Sequence, residues 1–297
     1  MPEDAQVHNG LRAREGPKAI DMHVHLPTSS FLEVAIEPYY RPAEKFFRAS
    51  VPVRAMDEVA RLYEALDIVG VLLAWDAETA TKLKPLSNDE VAGVVARYPK
   101  QFIGFASVDP WKGERAVAEI ERAVTELGLK GAKFHPGIQA FYPHDPRFYK
   151  LYEKIAALGV PALFHTGTSG LGAGMPGGMG IKLDYTRPIW LDHVAADFPS
   201  LTVIGAHPSW PWHEEMIAIL AHKSNMFMDL SGWAPRYIPK MIWDEARKRL
   251  NDRILFGSDY PFISPQRWLE EFELIEGFTP EAREKILLRN AQRILNL

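Results

Sequence analysis

Five of the ten histidines in this chain, His23, His25, His135, His165 and His207, fall at the ends of short apolar runs that read as strands, and Asp259 follows another such run. A polar side chain inside an apolar strand needs a partner, so a set of them at strand ends points to a shared ligand. His23 and His25 are separated by one residue. On a strand, positions i and i+2 face the same way, so the pair can offer two imidazoles to one ion from a single rigid edge. His165 adds a third nitrogen and Asp259 an oxygen. Three imidazoles and a carboxylate suit one divalent transition metal, zinc first, with iron, nickel or cobalt also compatible. Magnesium and calcium prefer oxygen-rich sites. The chain has no cysteine, which excludes thiolate ligands and disulfides.

For residues so far apart in sequence to meet, the intervening elements must bring strand ends to one place. Strand-like runs occupy 19–25, 68–74, 102–108, 131–135, 160–165, 201–207, 226–230 and 253–257. Helical patterns lie between and after them. One spans 56–66, and another opens on the capping-box pair Ser87 and Glu90 and runs to Tyr98. A third has apolar residues at Val117, Ile120, Val124 and Leu127, with Gly128 as its C-cap. Further helices are expected over 148–158, 189–198, 214–222, 239–250, 266–275 and 280–296. Strands apolar on both faces that alternate with helices argue for a parallel sheet with helical cover. Eight such units predict an α/β fold of the closed (β/α)₈ kind, a TIM barrel. An open doubly wound sheet is the alternative, but no Gly-rich phosphate turn follows the first strand.

Residues 1–17 are polar, lack periodicity and are expected to form a flexible tail before a single barrel domain over 18–297. Two connections are long, 26–55 and 166–188. Both leave the C-terminal ends of strands, where barrel active sites sit, and long loops in compact domains are usually functional. The first is expected to act as a partial lid. The second, with GTSGLGAGMPGGMG, is expected to be a mobile wall.

Composition narrows the partners. The formal net charge is -4 with both signs mixed, and no basic stripe offers itself to nucleic acid. No apolar run approaches the ~18 residues needed to span a bilayer, and the N-terminus lacks the apolar core of a signal peptide. The expectation is a cytoplasmic protein acting on a small molecule.

The motifs IDMHVH (20–25), GLKGAKFHP (128–136), GVPALFHTG (159–167), DFPSLTVIGAHPSWPW (197–212), MDLSG (228–232) and ILFGSDYPF (254–262) resemble, in order, those of the amidohydrolase superfamily. The likeness is to the amidohydrolase-related branch that includes aminocarboxymuconate-semialdehyde decarboxylase. The resemblance implies that His23, His25 and His165 bind the metal and that Asp259 both binds it and manages a proton. It implies that His207 polarises substrate or transfers protons, and that the protein forms a homodimer. Asp21, before the histidine pair, is expected to play a supporting role behind the ligands. Lys133 falls one step before the position where binuclear relatives carry a bridging lysine, so one metal is expected.

Other residues leave two readings open. His135 shares strand parity with Lys133 and either lines the pocket or closes the strand end. Trp210 and Trp212, like Trp75, Trp111 and Trp233, follow strands. They are either loop packing or a flat apolar wall for an aromatic-derived substrate. Arg187, Arg54 and Arg41 could each grip a substrate carboxylate or be solvated. His144, His193, His213 and His222 read as surface or helix residues. Hydrolysis of a small carbonyl compound, a lactone, amide or β-dicarbonyl, is the first functional expectation. Here Asp259 would take a proton from water and His207 would hold the developing oxyanion or protonate the leaving group. Non-oxidative decarboxylation of an aromatic or muconate-like acid is the alternative, and a non-catalytic binding barrel the third. Pro208-Ser209-Trp210 after His207, where the decarboxylases tend to carry glycine, tips the balance to hydrolysis.

Overall fold

The computed structural model describes residues 16–297, so the expected tail lies outside the described residues except for its last two positions. Eight strands form: β1 (Ala19–Val24), β2 (Ile68–Leu73), β3 (Phe102–Ser107), β4 (Ala132–Phe134), β5 (Ala162–His165), β6 (Val203–Ala206), β7 (Met226–Asp229) and β8 (Ile254–Leu255). They pair in sequence order, each neighbour parallel to the next. The amide of Met22 donates to the carbonyl of Phe256 at 2.9 Å, that of Asp259 to His23 at 2.9 Å, and that of His25 to Tyr260 at 2.7 Å. These bonds bring β8 and the segment after it against β1, which makes the sheet a TIM barrel. β4 and β8 are shorter than their apolar runs, because the chain past each turns into the site and leaves the ladder.

The outer layer consists of helices Met56–Ala65, Asn88–Arg97, Glu114–Thr125, Tyr149–Ala157, Ile189–Asp197, His213–His222, Lys240–Lys248 and Pro265–Glu273. Ser87 caps the second, accepting from the amide of Glu90 at 3.2 Å. The strands bury both faces. Inside the barrel Ile20, Met22, Val71, Phe105, Leu163 and Ile204 pack together. Leu288, Ala291 and Ile294, from the helical run that ends the chain, join this cluster. The barrel is thus a packed core with one end left for chemistry.

β1 carries an irregularity that decides where the site goes. Asp21 pairs with Gly70 and Val24 with Leu72, three residues of advance against two. A β-bulge of this kind re-aims side chains. Ile20 and Met22 point into the barrel core while His23 and His25 still face the mouth. Asp21 turns the other way. It is fully buried and accepts from the Tyr63 hydroxyl at 2.9 Å, the Ser258 amide at 2.8 Å and the Ser258 hydroxyl at 2.5 Å. Tyr63→Phe removes one of these donors from a buried acceptor. Urea denaturation is expected to show a loss of about 1–3 kcal/mol; unchanged stability would mean that the bond contributes nothing.

The two long connections are built, not open. Residues 26–55 contain a π-helical turn, Ser30–Ala35, and an α-helix, Tyr40–Phe47. The Glu44 carboxylate, accepting from the Val51 amide at 2.8 Å, and the Tyr40 hydroxyl, donating to the Val51 carbonyl, hold this segment down. Residues 166–188 contain two short 3-10 turns, Pro176–Gly180 and Leu183–Thr186. The Gly167 amide donates to the Thr186 carbonyl at 2.9 Å, and the Thr186 hydroxyl to the Gly167 carbonyl at 2.6 Å, so the two ends of the loop are clasped together.

Candidate metal centre and active site

At the C-terminal mouth the β1 bulge and the turn after β8 converge. Asp259 adopts a left-handed backbone, φ 70°, which swings its carboxylate toward β1. Its Oδ1 lies 3.6 Å from His23 Nε2 and 3.5 Å from His25 Nε2. Donors that share an ion at ~2.1 Å sit ~3.0–3.4 Å from one another, so the two Asp259 contacts have nearly the spacing of a coordination shell. Among the described residues two groups place three such donors within 4.8 Å: His23–His25–Asp259 and His23–His207–Asp229. His165 lies in neither. It lines the same cavity, and among the described residues its buried Nε2 has no hydrogen-bond partner.

Asp229, at the end of β7, carries no role in the sequence reading, yet it organises the floor. Its Oδ2 is 3.1 Å from His23 Nδ1. Its Oδ1 accepts from the amides of His207 at 3.1 Å and Ser231 at 2.9 Å and from the Ser231 hydroxyl. Burial pushes this carboxyl up, but His23 and these bonds outweigh it and hold it well below the usual range. The DLSG sequence at 229–232, an acid ending an apolar strand, was the available signal. Lys133 is the other unassigned group. It faces inward from β4 as parity requires, with Nζ 3.2 Å from His23 Nε2. Burial pulls its pKa down to about 8, against the pull of Asp229 and Asp259.

Burial also keeps the imidazoles neutral, the form that binds metal. His23 is pushed down to about 4 by burial and by Lys133. His207 is pushed down to about 3 by burial and His23. His25, His135 and His165 lie well below their ordinary value for the same first reason. Asp259 is raised to about 7 by burial, with Lys133 opposing.

Above this floor lies a cavity which, with its mouth, measures about 570 Å³. Its wall is aromatic: Phe31, Phe46, Phe47, Trp75, Trp233 and Phe262. Phe31 stacks on His25 with centroids 4.8 Å apart. Phe46 and Phe47 come from the helix in the first long connection. Thr168, Ser169, Gly170 and Leu171 contribute from the second. His135 lines the cavity as well and stacks on His165 at 3.8 Å. Its Nδ1 accepts from the Ile138 amide at 3.3 Å, so the neutral ring carries its proton on Nε2.

Several sequence expectations do not meet the cavity. Arg187 does not line it; its guanidinium pairs with Glu215 at 3.0 Å. Arg41 pairs with Glu44 at 2.6 Å and Arg54 with Glu58 at 3.7 Å. Trp210 is 46% exposed, and neither it nor Trp212 lines the cavity. The segment after His207 turns away, with the Trp210 carbonyl accepting from the Thr168 amide at 2.8 Å. The tryptophans that do form the wall are Trp75 and Trp233.

The donors fit a divalent metal. His25 Nε2, His23 Nε2 and Asp259 Oδ1 supply three, and the unpartnered Nε2 of buried His165 is the kind of orphan a cation would satisfy. Asp229 holds His23 from behind, the usual carboxylate support of a ligating imidazole.

Residues 20–297 match the amidohydrolase family. The decarboxylase orsB of Emericella nidulans is 30% identical over 255 residues, 71% of this chain and 75% of its own length. The 2-amino-3-carboxymuconate-6-semialdehyde decarboxylase of Dictyostelium discoideum is 27% identical, covering 85% of this chain and 80% of its own. Among solved structures, a dihydroxybenzoic acid decarboxylase from Polaromonas sp., with bound manganese and 2-nitroresorcinol, superposes with a TM-score of 0.70 at 21% identity, over 96% of this chain and 98% of that one. These relatives overturn the expectation of hydrolysis, since both similar sequences are named as decarboxylases. The residue behind that expectation, Ser209, has a structural explanation. It sits at φ 55°, a conformation that suits glycine, and its hydroxyl bonds Thr166 Oγ1 at 2.6 Å. It anchors the loop and says nothing about water chemistry.

Proposed function

The chain belongs to the amidohydrolase family and is an enzyme, and from this premise we propose that it catalyses the non-oxidative decarboxylation of a small aromatic or muconate-like acid. The observation that carries the reading is the cavity itself, with a His/Asp metal floor under an aromatic wall. A flat, apolar ring fits that wall.

His23, His25, His165 and Asp259 would hold the metal, which when bound supplies a positive centre for the substrate's anionic oxygens. The remaining work falls to the chain. Lys133 adds a cation to the floor, and Nε2–H of His135 offers a donor to a substrate oxygen. Phe31, Trp75 and the lid residues Phe46 and Phe47 fix the ring and exclude water. His207 Nε2, 2.9 Å from His165 Nδ1, can exchange that bond for a substrate hydroxyl and take its proton, enriching the ring in electrons. Asp259 carries the proton for the ring carbon. Once the carbon is protonated, its bond to the carboxylate breaks, CO₂ departs and the electron pair returns to the ring.

We propose zinc as the metal, with manganese the competitor, and a homodimer as the working assembly. Elemental analysis of the purified protein is expected to find about one equivalent. The reaction is tested on a panel of hydroxybenzoic acids, a muconate-like acid and lactones. Release of CO₂ with one proton gained on carbon is expected; turnover of the lactones alone would end the proposal.

A further inference from the structure

Ser231 follows Asp229 by two residues and is fully buried. Its hydroxyl touches three groups: Asp229 Oδ1, His207 Nδ1 at 2.8 Å and His23 Nδ1 at 3.0 Å. A hydroxyl has one proton and two lone pairs. Asp229, an ionised carboxylate taking bonds from two backbone amides, can only accept. The serine proton therefore goes to Asp229, and both imidazoles must donate to the serine oxygen. His23 and His207 thus each carry their proton on Nδ1, and each presents a bare Nε2. The assignment continues outward. Bare His207 Nε2 accepts from Nδ1–H of His165, which leaves His165 Nε2 bare, the same atom that is buried without a partner.

We propose that Ser231 is the positioning residue that sets the tautomer of His207, so that its hydroxyl prepares the proton-accepting face of the site while Asp229 holds the metal-binding face of His23. The inference deepens the decarboxylase reading and rests on it only for its kinetic consequence. Gly232 next to it belongs to the same device. Its φ is 72°, and a Cβ there would meet His207 Nδ1 at 2.7 Å, so the backbone is kept bare where the histidine must reach the serine. Asp229 alone would suffice for His23, since its Oδ2 already accepts from Nδ1. For His207 the Ser231 hydroxyl is the side-chain acceptor at Nδ1 among the described residues, and the Ser231 backbone, which also supports the ring, is common to all the variants compared below. Losing the serine should therefore affect His207 and spare His23.

The test compares wild type, Ser231→Ala and Ser231→Thr as full-length, zinc-loaded enzymes. Nitrogen-15 imidazole spectra are expected to show His207 as the Nδ1–H tautomer in wild type and shifted toward Nε2–H in Ser231→Ala, with His23 unchanged. Metal content should stay at one equivalent, KM should change little, and kcat should fall about 10- to 100-fold, the usual cost of losing a support behind a site. Ser231→Thr keeps the hydroxyl and is expected to restore both the tautomer and most of kcat. An unshifted His207 in Ser231→Ala would overturn the proposal, as would loss of the metal together with kcat. The tautomer readout needs no substrate, so failure of the decarboxylase reading would leave it intact and be told apart from it.

Discussion

Asp259→Asn is expected to lower kcat for CO₂ release by roughly 10⁴-fold, the upper end of what a positioned acid contributes. Asp259 Oδ1 sits against His23 and His25, while Oδ2 faces the space beside Gly232. One carboxylate is thus placed both to complete the metal floor and to carry a proton. An amide fails at both tasks, since it cannot release a proton at neutral pH and it can put N–H groups where lone pairs must point. The metal equivalent should fall as well. The check is single-turnover CO₂ release alongside elemental analysis; activity within tenfold of wild type would remove Asp259 from the chemistry.

His207→Asn should separate chemistry from binding. His207 reaches His165 and Ser231 but is absent from the donor trio His23–His25–Asp259. The variant is therefore expected to keep its metal while kcat falls about 10² to 10³-fold, within the range for general acid–base groups. KM should change far less than kcat, because the aromatic wall that holds the ring is untouched. A variant with wild-type kcat would show that His207 is a bystander. One that loses the metal would show that it is a ligand.

The barrel was legible because its strands bury both faces and so write themselves as unbroken apolar runs, such as IVGVLL and FIGFAS. The convergence of His23, His25 and Asp259 was legible for the same reason: in a closed parallel sheet all strand ends open on one mouth. The β1 bulge was not. Strict alternation would have put Ile20 and Met22 on the face opposite His23 and His25, yet all four look inward. Asp229 escaped notice because an acid ending a strand has many uses, and its partners, His23 and Ser231, are set by packing across the barrel. Which of the two open readings holds for Arg187, Trp210 and Trp212 was not legible, because strand parity stops where the strand stops. Beyond that point loop contacts, such as Arg187 with Glu215, decide direction.

The clasp between Gly167 and Thr186 has a bearing on how such an enzyme can change. Because both ends of the loop are tied to each other, β5 meets the loop at this neck, and the bonds beyond it, Thr168 to Trp210 and Tyr142 to Asp184, are made to other loops. The cost of lengthening a flexible loop grows slowly, about 0.6 kcal/mol per doubling. The residues beyond the neck are therefore an exchangeable cassette. Lineages could shorten, extend or rewrite them, and so reshape one side of the cavity near Ser169 and Leu171, while the metal floor and the barrel inherit no strain.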